Sequence, residues 1–246
     1  MIPFVDLFQK YFMQENEFNY NFFEKAEFFS GKWNGNMTDN EKALNILENV
    51  YKDAGTALKF NSVFELLVSV ILSAQCTDVR VNKVTSELFK KYNTPKAIAD
   101  MDIAELEDYI KSCGLYKNKA KNIKAMSETL LERFEGNVPS TREELMSLPG
   151  VGRKTANVML SVGFGKPAFA VDTHVFRVAN RIGLAEGKTP DDVEKQVTSI
   201  VPEEKWGNAH HWLIHHGRRI CHAQNPDCEN CPVRICCKFY AEKNKN

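Results

Sequence analysis

The sequence predicts an all-α fold, and three observations carry that prediction. Apolar residues recur at helical spacing along most of the chain from Met37 onward, no sustained period-two alternation appears, and helix start and stop signals recur at short intervals. A length of 246 residues suits one large domain or two small ones, either able to bury a core. With 43% hydrophobic and 26% charged residues, the composition excludes disordered and fibrous classes. The most apolar stretch, Val63 to Ala74, contains Ser69 and Ser73 and falls short of the ~18 residues that a bilayer span needs. No basic region followed by an apolar block opens the chain, so the expected compartment is the reducing cytosol.

Residues 1–36 hold eight of the sixteen phenylalanines, unlike a typical disordered tail. Phe4, Phe8 and Phe12 fall at i, i+4 spacing, so this segment reads either as a docking helix or as an upstream extension with Met37 as an older start. Asn61 is placed to cap a central, buried helix running to about Ala74. Cys113-Gly114-Leu115 reads as a helix end. Ser140-Thr141-Arg142-Glu143 reads as a capping box before a short helix with Leu145 and Leu148 inward, stopped by Pro149-Gly150. Val151, Thr155, Val158 and Val162 are expected to share one face of the next helix, and Val175, Val178, Ala179 and Ile182 a face of a later one. Asp191 is placed to cap another.

Net charge is zero, but it is unevenly distributed. Residues 111–166 carry ten basic against five acidic side chains and residues 205–246 seven against three, so a basic face can form. Between two short helices stands Leu148-Pro149-Gly150-Val151-Gly152-Arg153-Lys154, a tight turn feeding a helix N-terminus. Free backbone N–H groups and the helix dipole suit a phosphate oxygen there. Lys154 falls in the first helical turn, an unfavourable place for a cation, where the dipole, neighbouring Arg153 and partial desolvation all favour the neutral amine that a nucleophile needs. Eighteen residues on, Asp172 precedes an amphipathic run, the position of an N-cap. A cap also fixes a carboxylate in space, so structural and chemical roles coexist at that position.

Cys221, Cys228, Cys231 and Cys237 lie within 17 residues, with Cys236 a rival for the fourth position. Such a cluster in a reducing compartment points to metal rather than disulfides, and thiolate softness fits zinc and iron–sulfur alike. Cys76 and Cys113 read as core cysteines. His211 and His215 stand at i, i+4, but packing beside the cysteines is the expected role.

Leu148 to Val158, followed by Val171-Asp172-Thr173-His174-Val175-Phe176-Arg177-Val178, resembles the helix-hairpin-helix/Gly-Pro-Asp DNA glycosylase superfamily, most closely its endonuclease III branch. The resemblance extends to Leu72 through Asp78, Gly114 through Ala120 and His210 through Ile214, over roughly residues 40–240. It implies a base-excision-repair enzyme that removes oxidised pyrimidines and then cleaves the abasic site by β-elimination. Lys154 would be the nucleophile, Asp172 its assistant, and Cys221, Cys228, Cys231 and Cys237 the ligands of a [4Fe–4S] cluster. It also implies two helical lobes, a six-helix barrel at 56–166 and a cluster lobe from 37–55 plus 167–246. Double-stranded DNA with a damaged base or abasic site would lie in the cleft of a monomer. Gly150, Gly152 and Arg153 would hold its backbone, Gln75 would fill the vacated gap and Leu115 would wedge the partner strand.

Two other readings stay open: an adenine-specific mismatch glycosylase without lyase activity, and a non-catalytic iron–sulfur DNA-binding protein. Lys154, which the adenine-specific relatives lack, counts against the first, and Lys154 together with Asp172 against the second. One departure stands out. The loop His222-Ala223-Gln224-Asn225-Pro226-Asp227 has no Lys or Arg, where the family often carries basic residues near DNA; Arg218, Arg219 and Arg234 are the nearby alternatives.

Overall fold

A computed structural model describes residues 37–245; the N-terminal aromatic segment, with its expected helix through Phe4, Phe8 and Phe12, lies outside the described residues. Every regular element among the described residues is helical. In chain order they are α1 (Asp39–Val50), α2 (Val63–Ser73), α3 (Asp78–Leu88), α4 (Pro95–Asp100), α5 (Ile103–Ile110), α6 (Tyr116–Phe134), α7 (Arg142–Met146), α8 (Arg153–Val158), α9 (Thr173–Ile182), α10 (Pro190–Ile200), α11 (Trp206–Arg219) and α12 (Lys238–Lys243). No helix among them is long and apolar enough to cross a membrane.

Most of these helices start on a side-chain oxygen that accepts from a backbone N–H two or three residues on, which satisfies an orphan donor of the first turn. Three starts differ from the sequence expectation. Ser62, not Asn61, caps α2, and the Asn61 backbone N–H instead donates to Glu65 Oε2 at 2.6 Å. Thr141, one residue beyond Ser140, caps α7 and reaches Glu144. Thr189 caps α10 in a reciprocal capping box with Asp192, which leaves Asp191 in the first turn. In each case the hydroxyl residue takes the extended backbone angles of a cap.

The apolar residues form two cores. The first runs from Phe64 to Ala168 and centres on α2, buried at every position from Phe64 to Leu72. The second joins Ala43, Ile46 and Leu47 of α1 and the following Tyr51 with residues from Phe169 to Cys236. The chain passes from one core to the other at Ala168–Phe169. Each fully buried Leu or Ile contributes about 1.5–3 kcal/mol by leaving water.

Of the face expected for Val151, Thr155, Val158 and Val162, Val151 is buried and Val158 and Val162 pack partly buried against the first core. Ala156, Asn157, Met159 and Leu160 are buried as well, and beyond Val158 the helix passes into a π-helical turn at Met159–Gly163 that departs from the 3.6-residue period. On α9 the expected face does pack inward, with Val175, Val178, Ala179 and Ile182 all buried.

Candidate active site and cysteine centre

A cleft of about 780 Å³ opens between the two cores, and its walls include Gln75, Asp78, Lys154, Asp172, His174 and Arg218. Lys154 comes from the first turn of α8 and is exposed. Asp172 is the N-cap of α9, its Oδ1 accepting from the Val175 N–H at 2.8 Å. The cap engages one carboxylate oxygen, so Asp172 is held in place while it lines the cleft.

The extended segment before Asp172 is anchored from both sides. From the helix that carries Lys154, Asn157 Nδ2 donates to the Phe169 carbonyl at 2.8 Å. From α11, His210 Nδ1 lies 2.7 Å from the Ala170 carbonyl. Burial pushes the His210 imidazole down to about 4 against the opposing pull of the Asp172 charge, so the ring is neutral at pH 7 and Nδ1 carries the proton that this contact uses. His174, also facing the cleft, is lowered chiefly by burial, again opposed by Asp172.

The turn before α8 has the expected geometry. Gly150 takes φ +79, and a Cβ there would meet Asn122 Cβ at 2.9 Å, so both backbone angle and packing require glycine. A Cβ on Gly152 would meet nothing within 4 Å, so the backbone there faces open space. Arg153 has a partner that the sequence does not announce. Its Nε and Nη2 grip Glu194 at 2.8 and 3.1 Å, with Asp191 at 3.4 Å from Nε and Arg142 3.6 Å from the same glutamate. The side chain expected at phosphate thus ties the hairpin to α10.

Gln75 follows α2 with φ 53, and Leu115 precedes α6 with φ 57 and 61% exposure. The expected helix end at Cys113-Gly114-Leu115 is displaced: α5 stops at Ile110, and Leu115 opens α6. The two turns are adjacent, since a Cβ on Gly114 would sit 3.4 Å from the Gln75 carbonyl oxygen.

Cys221, Cys228, Cys231 and Cys237 line one small hollow with Ile182, Ile220, Val233 and Phe239. Cys236 does not line it; its buried Sγ donates to the Val233 carbonyl at 3.4 Å. Among the described residues no three His, Cys, Asp or Glu converge as a single ion would require. Four soft donors around an apolar space suit an iron–sulfur cluster and a zinc ion alike. His216 Nε2 lies 3.6 Å from Cys231 Sγ, with Tyr51 Oη at 3.1 Å from its other ring nitrogen. Arg181 Nη1 donates to Cys221 Sγ at 3.6 Å and to the His222 carbonyl at 2.6 Å, and its Nη2 to the Ala223 carbonyl at 3.0 Å. The loop without basic residues is therefore fastened from behind by an arginine of α9. Arg218 pairs with Asp78 at 3.1 Å.

The model of the HhH-GPD superfamily of base excision DNA repair proteins matches residues 68–203, more than half the chain. Endonuclease III of Rickettsia conorii is 52% identical over 185 residues, covering 75% of this chain and 88% of that protein. The chain belongs to the endonuclease III family. Family members from Escherichia coli and Bacillus subtilis are 50% and 46% identical, over 75% and 85% of this chain and 87% and 96% of their own lengths. A solved structure described as a trapped endonuclease III–DNA covalent intermediate, an estranged-adenine complex, superposes with a TM-score of 0.80 at 45% identity, over 85% of this chain and 99% of its own. A thermostable thymine-DNA glycosylase at 23% identity and a TM-score of 0.75 shares the fold. The protein is thus an endonuclease III-type enzyme, of the DNA glycosylase and AP-lyase class. The family-model match ends before the four cysteines, so the hollow stands on its own geometry.

Proposed function

We propose that this enzyme excises oxidised pyrimidines from double-stranded DNA and then cleaves the abasic site through a lysine Schiff base. The observation that carries the reading is that Lys154 and Asp172, from different helices, line one cleft between the two cores. Duplex DNA lies across the cleft mouth, its backbone held by N–H groups of the Gly150–Gly152 turn. The damaged nucleotide leaves the stack so that its C1′ can be reached. Gln75 fills the gap it leaves, and Leu115, well exposed beside it, wedges the partner strand.

The Lys154 Nζ lone pair attacks C1′, the N-glycosidic bond breaks, and the base departs with the bonding electrons and a proton. Asp172 stabilises the developing positive charge on the sugar or takes up a proton. The sugar ring opens to a Schiff base with Nζ. Loss of a C2′ proton then expels the 3′ phosphate. A relative caught as a covalent intermediate on DNA supports this chemistry.

Cys221, Cys228, Cys231 and Cys237 would hold a [4Fe–4S] cluster, which would supply metal–thiolate cross-links tying the loop of Cys228, Cys231 and Cys237 to Cys221 just past the end of α11. Arg181 and His216 orient two of the thiols. The enzyme acts as a monomer in the cytoplasm. The test is sodium borohydride trapping on an abasic-site duplex. A stable protein–DNA adduct supports the lyase reading, and base release without any adduct contradicts it.

A further inference from the structure

Lys119 is 5% exposed, a rare state for a lysine, and two of its donors meet backbone acceptors. Nζ donates to the carbonyls of Leu72 and Ala74 at 2.8 and 2.6 Å. Those carbonyls end α2, where helical partners run out and the dipole favours a cation. The next residue, Gln75, adopts φ 53 without being glycine, a conformation that persists only when its surroundings impose it. On its own helix, the Lys119 backbone N–H donates to the Leu115 carbonyl at 3.1 Å, closing the turn after the second left-handed residue. Arg80 adds a tie from α3, its Nη1 donating to the Ser112 carbonyl at 3.2 Å.

We propose that Lys119 is a positioning residue that locks the Gln75 turn and the Leu115 turn into one rigid wedge, so that both side chains enter the DNA in a fixed spatial relation. The inference rests on the reading of Gln75 and Leu115 as the residues that enter the duplex. Burial disfavours the charged ammonium and lowers its pKa. Either protonation state keeps at least two N–H donors, so the brace survives titration. An apolar side chain of similar length leaves both carbonyls without a donor and frees the Gln75 turn to relax.

Single-turnover rates on two substrates test the proposal. On a duplex with a damaged pyrimidine, the lesion must be extruded and its gap filled; a single strand with an abasic site has no partner base and no gap. For Lys119→Met, base excision on the duplex should fall about 10- to 100-fold, the scale of loss expected when reacting groups are misplaced by an ångström. Borohydride trapping on the single strand should keep the wild-type rate. An equal loss on both substrates, or a wild-type rate on the duplex while Gln75→Ala and Leu115→Ala are slow, overturns the brace. If Gln75→Ala and Leu115→Ala also run at the wild-type rate, the wedge reading itself has failed and takes the proposal with it. Should Lys119→Met not fold, hydrogen exchange on the wild type decides. The Cys76 and Lys119 amides, bonded to the Ser73 and Leu115 carbonyls, should exchange together, and much faster exchange at Cys76 overturns the proposal.

Discussion

Asn157, one helical turn after Lys154, donates from Nδ2 to the carbonyl of Phe169, three residues before Asp172, at 2.8 Å and out of contact with solvent. One buried amide thus joins the helix of the proposed nucleophile to the segment of its proposed partner. Asn157→Leu keeps the branched shape with somewhat more bulk and removes the donor. The buried carbonyl then lacks its partner, which should cost about 1–3 kcal/mol in a urea titration. Excision should slow by about 10- to 100-fold because Lys154 and Asp172 are no longer held in register. Destabilisation with unchanged turnover would show that the bond serves the fold alone.

Arg153 and Glu194 allow a second test. Glu194 is 10% exposed, so Arg153→Ala leaves a buried carboxylate with only Arg142 for compensation. Stability should drop by about 2 kcal/mol, less than for a fully buried pair because Arg153 itself is 40% exposed. Because its charge is already paired, Arg153→Ala should change the slope of log affinity against log salt by less than the ~0.9 that one freely contributed phosphate contact gives. Both effects are measured on one variant, by urea denaturation and by DNA binding at several salt concentrations.

The histidines of α11 predict an acid-sensitive fold. Burial lowers His210 to about 4 and His211 to about 3, below the ordinary value of 6.5. The unfolded chain therefore binds these protons first as pH falls. Stability from the neutral rings is full above about 6.5 and is lost progressively below it, towards the folded values, at up to ~1.4 kcal/mol per pH unit for each proton. Urea midpoints between pH 7 and pH 4.5 should fall less steeply in His211→Gln than in the wild type. Parallel slopes would remove His211 from the account.

The hollow between the cysteines predicts which thiol is dispensable. Cys236→Ser should retain the brown colour and about four irons per chain, since Cys236 does not line the hollow and bonds to the Val233 carbonyl instead. Cys237→Ser should lose both. The reverse pattern would reassign the fourth ligand, and one zinc in a colourless wild type would replace the cluster altogether.

Asp172 carries two roles that one substitution separates. Asn at this position still caps α9, so Asp172→Asn should fold and bind DNA normally. It should turn over about 10²- to 10⁴-fold more slowly, the usual cost of removing a positioned acid–base or electrostatic group. Full activity in Asp172→Asn would leave Asp172 as a cap only.

Much of this was legible from local pattern. The buried length of α2, the apolar face of α9 and the turn at Gly150 follow from spacing and glycine placement alone. Three caps were misplaced by one or two residues because neighbouring Asn, Ser, Asp and Thr compete for the same role and only the backbone angles choose among them. The π turn that follows α8 is not legible, because such a turn carries no periodic signal. Asn157, Glu194 and Lys119 were invisible as anchors for a different reason. Their partners lie 12, 41 and 47 residues away in sequence, and no local pattern pairs residues across such distances. A polar residue on an otherwise buried helical stretch, as at Asn157, was the only signal available.

The most direct test of the central claim is to identify the atom that joins DNA. Wild-type protein incubated with an abasic-site duplex and borohydride should form an adduct, and mass spectrometry of its peptides should place the linkage on Lys154. Lys154→Ala should fold and bind, because the side chain is exposed in the cleft rather than packed in a core, yet form no adduct. An adduct on another lysine, or undiminished trapping by Lys154→Ala, would contradict the account.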